Sequence, residues 1–188
     1  MKYYKKLIGD RIYLSPLNIE DAEKYVEWFC DFTTTDGIGK SSKLMTVEAE
    51  REWIDKVLKN NNELNFAIVN LENDKLIGSC SIMNMCNKDR VGEVGIFIGE
   101  EDKRSNGYGA EALKLLLDYG FNYQNLNNIM LTVMSFNERA IKCYKKVGFK
   151  EFGRRRQCYF LNGKYYDRIY MDILANEFEG NYIRNKNI

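Results

Sequence analysis

The sequence contains no histidine and only one proline among its 188 residues. The lack of histidine excludes a Ser-His or Cys-His catalytic pair and argues against a zinc site. The five cysteines include no C-x-x-C pair, which is typical of unpaired thiols in a reducing compartment. Any chemistry must therefore use carboxylates, tyrosines, lysines or backbone groups.

A strong net charge and a long apolar run are also missing. Lys and Arg total 28 and Asp and Glu 27, so the net charge of +1 gives no sign of a nucleic-acid partner. The arginine run 154–156 would be split between two faces of a strand. No segment approaches the ~20 apolar residues of a membrane span, and the N-terminus lacks the apolar region of a signal peptide. We expect a cytoplasmic protein without a membrane or nucleic-acid partner.

The composition is that of a globular protein, with 45% apolar and 13% aromatic residues. The length suits one well-buried core and is short for two. The sequence has no internal repeat, no low-complexity run and no Pro/Gly-rich linker. We therefore expect a single domain over residues 1–188.

The hydrophobic patterns predict alternating strands and helices in the first half of the chain. A short strand at 11–14 precedes a helix capped by Asn18, and Thr46 caps a second helix after the polar segment 31–43. Two strands, "ELNFAIVN" and "LIGSCSIM", form a hairpin. A third strand, "VGEVGIFIG", leads to a segment with glycines at 107 and 109.

The second half begins with a helix whose apolar residues share one face. Its opposite, polar face carries Glu111, Lys114 and Asp118. A buried strand, "NIMLTVM", follows, and Ser135 with Glu138 predicts a capping box for the next helix. The last two strands flank Asn162-Gly163, a strong hairpin signal.

The two glycines indicate an anion site at the start of a helix. Glycine lets the backbone approach a ligand closely, and the free N–H groups of a helix start favour a phosphate. A Rossmann site is not supported, because "EEDKRSN" separates the strand from the glycines and no acidic residue ends the following strand. The P-loop pattern G-x-x-x-x-G-K-[ST] is absent.

Two segments carry a resemblance to a known family. The segment 104–109, RSNGYG, resembles the [RQ]-x-x-G-x-[GA] pyrophosphate loop of the GNAT acetyltransferases, and the segment 137–149, NERAIKCYKKVGF, resembles the family's N-x-x-A-x-x-x-Y-x-x-x-G-F helix. The hairpin "NFAIVNLENDKLIGSCSI" and the terminal "FLNGKYYDRIYMDIL" look like the RimJ/RimL branch, which includes protein N-terminal and spermidine acetyltransferases. The resemblance covers about residues 11–174.

This resemblance implies the GNAT fold, an α/β (α+β) class with a mixed central sheet. About six to seven strands, including one splayed parallel pair, and about four helices are expected. The activity implied is the direct transfer of an acetyl group from acetyl-CoA to a primary amine in a ternary complex, with no metal. In the family, acetyl-CoA lies where the two parallel strands part, which here are 93–98 and 129–133.

The resemblance also implies which residues bind acetyl-CoA. Strand residues beside the pantetheine and loop residues beside the pyrophosphate are Ile96, Phe97, Ile98, Arg104, Ser105, Asn106, Gly107, Tyr108 and Gly109. Arg104 would act through its side chain or its backbone. Asn137 would form a hydrogen bond to the cofactor, and a helix cap at the same residue is compatible with that role.

Tyr144 and Glu93 are the candidate catalytic residues. Tyr144 would lie beside the sulfur and give the leaving thiolate a proton, because a phenol pKa of ~10 keeps it protonated; a core tyrosine is the alternative. Glu93 would be the general base, unless a water chain serves or the carboxylate only pairs with Arg90 or Arg104. A covalent route through Cys143 is not expected without a histidine partner.

The acceptor amine stays open. Acidic residues lie in and after the first helix: Glu20, Asp21, Glu23, Glu27, Asp31 and Asp36. They would attract a polyamine such as spermidine, or they form a solvated helix face. A protein N-terminus fits equally, because an α-amine pKa of ~8 leaves more neutral amine. An acyl-CoA-binding protein without turnover, and a homodimer through the last hairpin, also remain open.

Overall fold

The computed structural model describes residues 2–60 and 62–183. Within these ranges the chain forms one eight-stranded sheet and five α-helices. The strands are β1 (Leu7–Ile8), β2 (Ile12–Pro16), β3 (Leu64–Asn70), β4 (Leu76–Cys86), β5 (Val91–Ile98), β6 (Asn128–Met134), β7 (Lys150–Leu161) and β8 (Lys164–Leu174). The helices are α1 (Ala22–Phe29), α2 (Phe32–Ile38), α3 (Val47–Leu58), α4 (Tyr108–Asn122) and α5 (Glu138–Val147).

The strands lie in the order β1-β2-β3-β4-β5-β6-β8-β7, and only β5 and β6 are parallel. That pair is hydrogen-bonded only where Val91–Glu93 faces Asn128–Met130. The two strands then part, although β5 continues to Ile98 and β6 to Met134. The predicted mixed sheet with a splayed parallel pair is confirmed. It has one strand more than predicted, because the two-residue β1 is too short to leave a pattern.

One face of the sheet is covered by α4 and α5. The leucines of α4 pack with strand residues such as Ile82 and Ile129 into one apolar core. Burial of each such side chain stabilises the fold by about 2 kcal/mol. Asp118, predicted on the polar face of α4, is instead buried and accepts the backbone N–H groups of Tyr182 and Ile183 at 2.6 and 2.9 Å. The chain after β8 therefore covers this side of α4, which helix periodicity does not reveal.

The other face is covered by α1 and α3. Tyr25, Trp28 and Phe29 of α1 pack around the ring of Phe97 on β5. The predicted caps are confirmed: Asn18 accepts the N–H of Glu20 at the short 3-10 turn before α1, and Thr46 accepts the N–H of Ala49 in α3. None of the helices in the described ranges has both the length and the apolar character that crossing a bilayer requires.

The segment predicted as a polar connection contains α2. Asp31 begins this helix by accepting the N–H of Thr33 at 2.9 Å, and Gly39 ends it with a φ of 70°. The helix has only seven residues, mostly Thr, Asp and Gly, and carries no apolar stripe. Its sequence therefore gives no helical signal.

The start of α5 also differs from the prediction. Asn137, not Ser135, caps the helix, because the Asn137 side-chain oxygen accepts the N–H of Ala140 at 3.2 Å. The Ser135 hydroxyl instead accepts the N–H of Asp167. The predicted Ser135 and Glu138 capping box was wrong. The hairpin between β7 and β8 is confirmed, with positive φ at Asn162 and Gly163 as the turn requires.

Candidate active site

A cleft of about 380 Å³ lies where β5 and β6 part. Its walls come from the end of β5, the loop before α4, the first turns of α4, and helices α5 and α2. The residues predicted to bind the cofactor that line it are Ile96, Phe97, Ile98, Arg104, Ser105, Gly107, Gly109, Asn137 and Tyr144. The sheet opening and the two motifs therefore meet at one site.

The loop before α4 offers free backbone N–H groups. Ser105 and Gly107 both have positive φ, 62° and 86°. In the described part of the chain, the amides of Ser105, Asn106 and Gly107 donate no hydrogen bond to the protein. The first amides of α4 are also without helix partners, as at any helix start. Such a turn followed by a helix N-terminus is suited to bind an anion.

Arg11 on the far side of the loop supports this turn. Its Nη1 donates to the carbonyl of Asn106 at 2.9 Å, and its guanidinium lies 4.5 Å from the centre of the Tyr108 ring. Glu111 fixes Arg11 with a 2.9 Å ion pair to Nε and also accepts the N–H of Asp10. Asn106 and Tyr108, which were predicted to bind the cofactor, thus contact Arg11 and do not line the cleft. The motif comparison missed Arg11, because it lies about 100 residues away in the sequence.

Arg104 is largely buried, with a side-chain exposure of 9%. Its guanidinium donates to two carbonyl oxygens and two hydroxyls, and its backbone N–H donates to the carbonyl of Glu101. The guanidinium donates to the backbone carbonyl oxygens of Ile98 and Gly99 and to the hydroxyls of Thr33 and Thr34. Arg104 therefore ties the end of β5 to the start of α2, and protein acceptors already use most of its donors.

The other end of α2 is tied to α5. The side-chain amide of Asn137 donates to the carbonyl of Gly37 at 3.3 Å, while its oxygen caps α5. As a result Thr34, Gly37 and Ile38 become part of the cleft wall. The sequence did not indicate these three residues, because α2 itself was not predicted.

Tyr144 projects from α5 and is half-buried in the cleft wall. Its ring packs edge-on against Phe149 at 6.1 Å, and its hydroxyl forms no hydrogen bond within the described residues. Burial raises the pKa of the Tyr144 phenol, so it holds its proton at neutral pH. Burial also raises the pKa of the neighbouring Cys143 thiol, which disfavours a nucleophilic thiolate.

Glu93 forms the last rung of the β5–β6 pair, opposite Met130. Because side chains alternate along a strand, Glu93 shares a face with Phe97 and lies on the α1 and α3 side of the sheet. Its carboxylate accepts the side-chain amide of Asn84 at 3.1 Å. Neither Arg90, which donates to Asn125, nor Arg104 pairs with it. Glu93 and Tyr144 thus flank the opening from opposite faces.

The charges around the cleft favour an anionic ligand. Four further cationic residues line it: Lys103, Arg139, Lys142 and Lys146. Within residues 2–60 and 62–183, no group of three or more His, Cys, Asp or Glu side chains is arranged to hold a metal ion. The cleft can therefore attract phosphate groups through its free amides and basic side chains.

The acidic residues of the first helix are mostly engaged by the protein itself. Asp21 is 2% exposed and binds Lys2 at 2.6 Å. Glu27 pairs with Lys24, and Asp31 caps α2. These contacts partly neutralise the acidic cluster.

Comparison with known proteins identifies relatives across most of the chain. Residues 11–150 match the family described as "Acetyltransferase (GNAT) domain". The chain is 30% identical over 182 residues to "Probable N-acetyltransferase YjcK" of Bacillus subtilis (strain 168), which covers 92% of this chain and 99% of that protein. It is 32% identical over 124 residues to the spermidine N(1)-acetyltransferase of Escherichia coli (strain K12), covering 66% of this chain and 65% of that protein.

A solved structure shares the fold. The crystal structure of spermidine N-acetyltransferase from Vibrio cholerae in complex with CoA and spermine aligns with a TM-score of 0.82 at 24% identity. The alignment covers 89% of this chain and 97% of the other.

Proposed function

The chain belongs to the GNAT acetyltransferase family, with acetyl-CoA as its acetyl donor, and from this premise we propose that it acetylates a primary amine by direct transfer at the split between β5 and β6. The observation that carries the proposal is the parting of the two strands after Glu93, next to the free amides of the loop before α4. The amine is a protein N-terminus or a small amine. The amine reacts within a ternary complex.

The donor would lie along the α4 and α5 side of the opening. The free amides of the Ser105–Gly109 turn suit the pyrophosphate, and the unpaired edge of β5 at Ile96–Ile98 suits the amides of the pantetheine arm. Asn137 keeps one N–H of its side-chain amide for the same ligand. For Arg104 we propose an indirect role, because its donors already serve the wall of the cleft.

Acetyl transfer breaks the thioester C–S bond and forms a C–N bond. The departing thiolate needs a proton, and Tyr144 is suited to supply it because its hydroxyl has no protein partner and because burial, which raises its pKa, keeps it protonated at neutral pH. The attacking amine must lose a proton. Glu93 is our candidate for accepting it, directly or through water, because it lies at the opening on the opposite face.

One of two alternatives has specific support. Spermidine acetyltransferases among the relatives support a polyamine acceptor. The ion pairs already formed by the carboxylates of Asp21 and Glu27 count against it. A protein that binds acyl-CoA without turnover is the second alternative, against which the retained Tyr144 counts.

The hairpin sequences support the RimJ/RimL branch, and five free cysteines support a cytoplasmic protein. We also propose a single catalytic domain, and a homodimer through edge strand β7 remains part of the proposal.

The first test is thiol release from acetyl-CoA with neutral peptides bearing a free N-terminus, beside spermidine. Saturable release with either acceptor would support amine acetylation. Direct transfer also predicts that the intact protein gains no acetyl group, by mass spectrometry, when incubated with acetyl-CoA alone. Protein acetylated at Cys143 under these conditions would contradict the ternary-complex route.

A further inference from the structure

Two arginines face each other on the Glu93 side of the sheet. Arg168 of β8 lies directly opposite Arg155 of β7, and on its other flank it lies opposite Met134 of β6. Directly opposed residues point to the same face, so Met134, Arg168 and Arg155 form one row. This face is opposite to the one bearing Ile169, which packs in the core under α4 and α5.

Neither guanidinium of this pair is neutralised. Among the described residues, Arg155 and Arg168 form no side-chain hydrogen bond and no ion pair, and the Nε of Arg168 is buried without a partner. The nearest hairpin carboxylates, Glu151 and Asp167, pair instead with Arg154, which lies opposite Ile169 on the other face. Like charges directly opposite each other oppose folding, and an anion bound between the exposed Arg155 and the partly buried Arg168 would offset that repulsion.

The row lies beside the opening of the sheet. Met134 is four residues beyond Met130, the partner of Glu93, which is roughly 13 Å along β6. The chain just after α2 also reaches this row, because a Cβ built on Gly39 would lie 3.6 Å from Cε of Met134. Arg168 therefore lies within reach of an acceptor whose amine is at the split.

We propose that Arg168 and Arg155 bind an anionic group on the acceptor, a carboxylate or a phosphate, so that the substrates are amines that carry a negative charge. This inference rests on the proposed acetyl transfer and narrows its acceptor. An arginine holds either anion through paired N–H donors. A polycation such as spermidine would be repelled by the same two residues.

The test compares peptides that differ at one residue. Tripeptides with a free N-terminal serine and an amidated C-terminus carry Glu, phosphoserine, Gln or Lys at the second position, and thiol release gives kcat/KM for each. We expect Glu or phosphoserine to exceed Gln by about 10- to 100-fold, and Lys and spermidine to fall below Gln. The two anionic peptides separate a carboxylate site from a phosphate site.

Two substitutions assign the preference to the arginine pair. Arg168→Gln and Arg155→Gln should each reduce the ratio of anionic to Gln peptide to within about threefold, while the rate with the Gln peptide and the affinity for acetyl-CoA stay near wild type. Arg156→Gln removes the same charge from an exposed neighbour outside the row and should leave the ratio unchanged.

The outcomes separate this inference from the proposed function. Two results would overturn the anion site while leaving acetyl transfer intact. One is an equal fall in kcat/KM with every peptide in Arg168→Gln. The other is a higher kcat/KM of the wild-type protein with the Lys peptide or spermidine than with the anionic peptides. No thiol release with any of the five acceptors, despite acetyl-CoA binding, would overturn the proposed function itself. Thermal unfolding of each variant identifies loss of fold. If Arg168→Gln is unstable, the ratio of kcat/KM for the anionic and Gln peptides is measured with Arg155→Gln instead.

Discussion

Glu93 on β5 and Met130 on β6 form the last rung at which the two parallel strands pair. Beyond it, each strand keeps its outer neighbour but leaves the edge toward the other strand unpaired. Backbone groups in the middle of a sheet are normally hydrogen-bonded, so such an opening marks a place where a ligand completes the pairing. The free amides before α4 and the Tyr144 hydroxyl lie at the same opening.

Replacing Tyr144 with Phe removes the proposed proton donor. We expect kcat to fall by up to about 10²-fold, with little change in the KM for acetyl-CoA. Because burial raises the pKa of Tyr144, the wild-type rate should not decline through loss of this proton between pH 8 and 10. Tyr4→Phe, at an exposed tyrosine, is the matched control. Steady-state kinetics would exclude Tyr144 from the chemistry if kcat were unchanged.

Substituting Gly107 by Ala tests the proposed anion-binding role of the turn before α4. Its φ of 86° disfavours a side chain by about 1–2 kcal/mol, and a Cβ would lie 3.2 Å from the Arg11 guanidinium. We expect weaker acetyl-CoA binding by calorimetry. Gly163→Ala carries the same backbone strain, with φ of 77° in the remote hairpin turn, and should leave the affinity unchanged. Equal affinities in both variants would contradict a binding role for the turn.

Arg104→Gln tests whether Arg104 holds β5 and α2 together or binds the phosphate groups of acetyl-CoA directly. The substitution leaves three part-buried carbonyl and hydroxyl groups without their donor, so the free energy of unfolding should fall by about 2–3 kcal/mol in urea titrations. The KM of the acceptor should rise, because α2 loses its tie to β5. A variant of normal stability whose only defect is weak acetyl-CoA binding would assign Arg104 to the ligand instead.

Glu93→Gln tests the proposed base. We expect kcat/KM to drop about 10²-fold and the acid limb of its pH profile to change. Asn84→Ala, which removes the one side-chain hydrogen-bond partner of that carboxylate among the described residues, should produce a smaller defect. A wild-type pH profile in Glu93→Gln would leave deprotonation to water.

Local patterns predicted most of the fold but not the elements defined by distant contacts. Strand alternation, the Asn18 and Thr46 caps and the Asn162-Gly163 turn depend on neighbouring residues, and those predictions hold, whereas the Ser135 and Glu138 capping box does not form. The helix α2 carries no apolar stripe, and burial of Asp118 depends on a chain segment 64 residues away. The support of the glycine loop by Arg11 depends on a contact between residues that are farther apart still, 95 positions in the sequence.

In the candidate site, too, local motifs were predictable from the sequence and distant contacts were not. The two motifs identified residues that gather at one cleft, because each motif lies on a single local element. Their individual contacts were not predictable. The side chains of Arg104 and Asn137 bind α2, which the sequence did not indicate, and the row of Arg168 and Arg155 arises from strand register.

The most direct measurement is the rate of thiol release from acetyl-CoA with and without an amine acceptor, at saturating donor. Transfer at the split predicts release that depends on the acceptor, saturates with it, and yields one acetylated amine for each thiol. Acetyl-CoA binding in the absence of release with any neutral, acidic or basic amine would contradict the account, and would identify a protein that binds the thioester without using it.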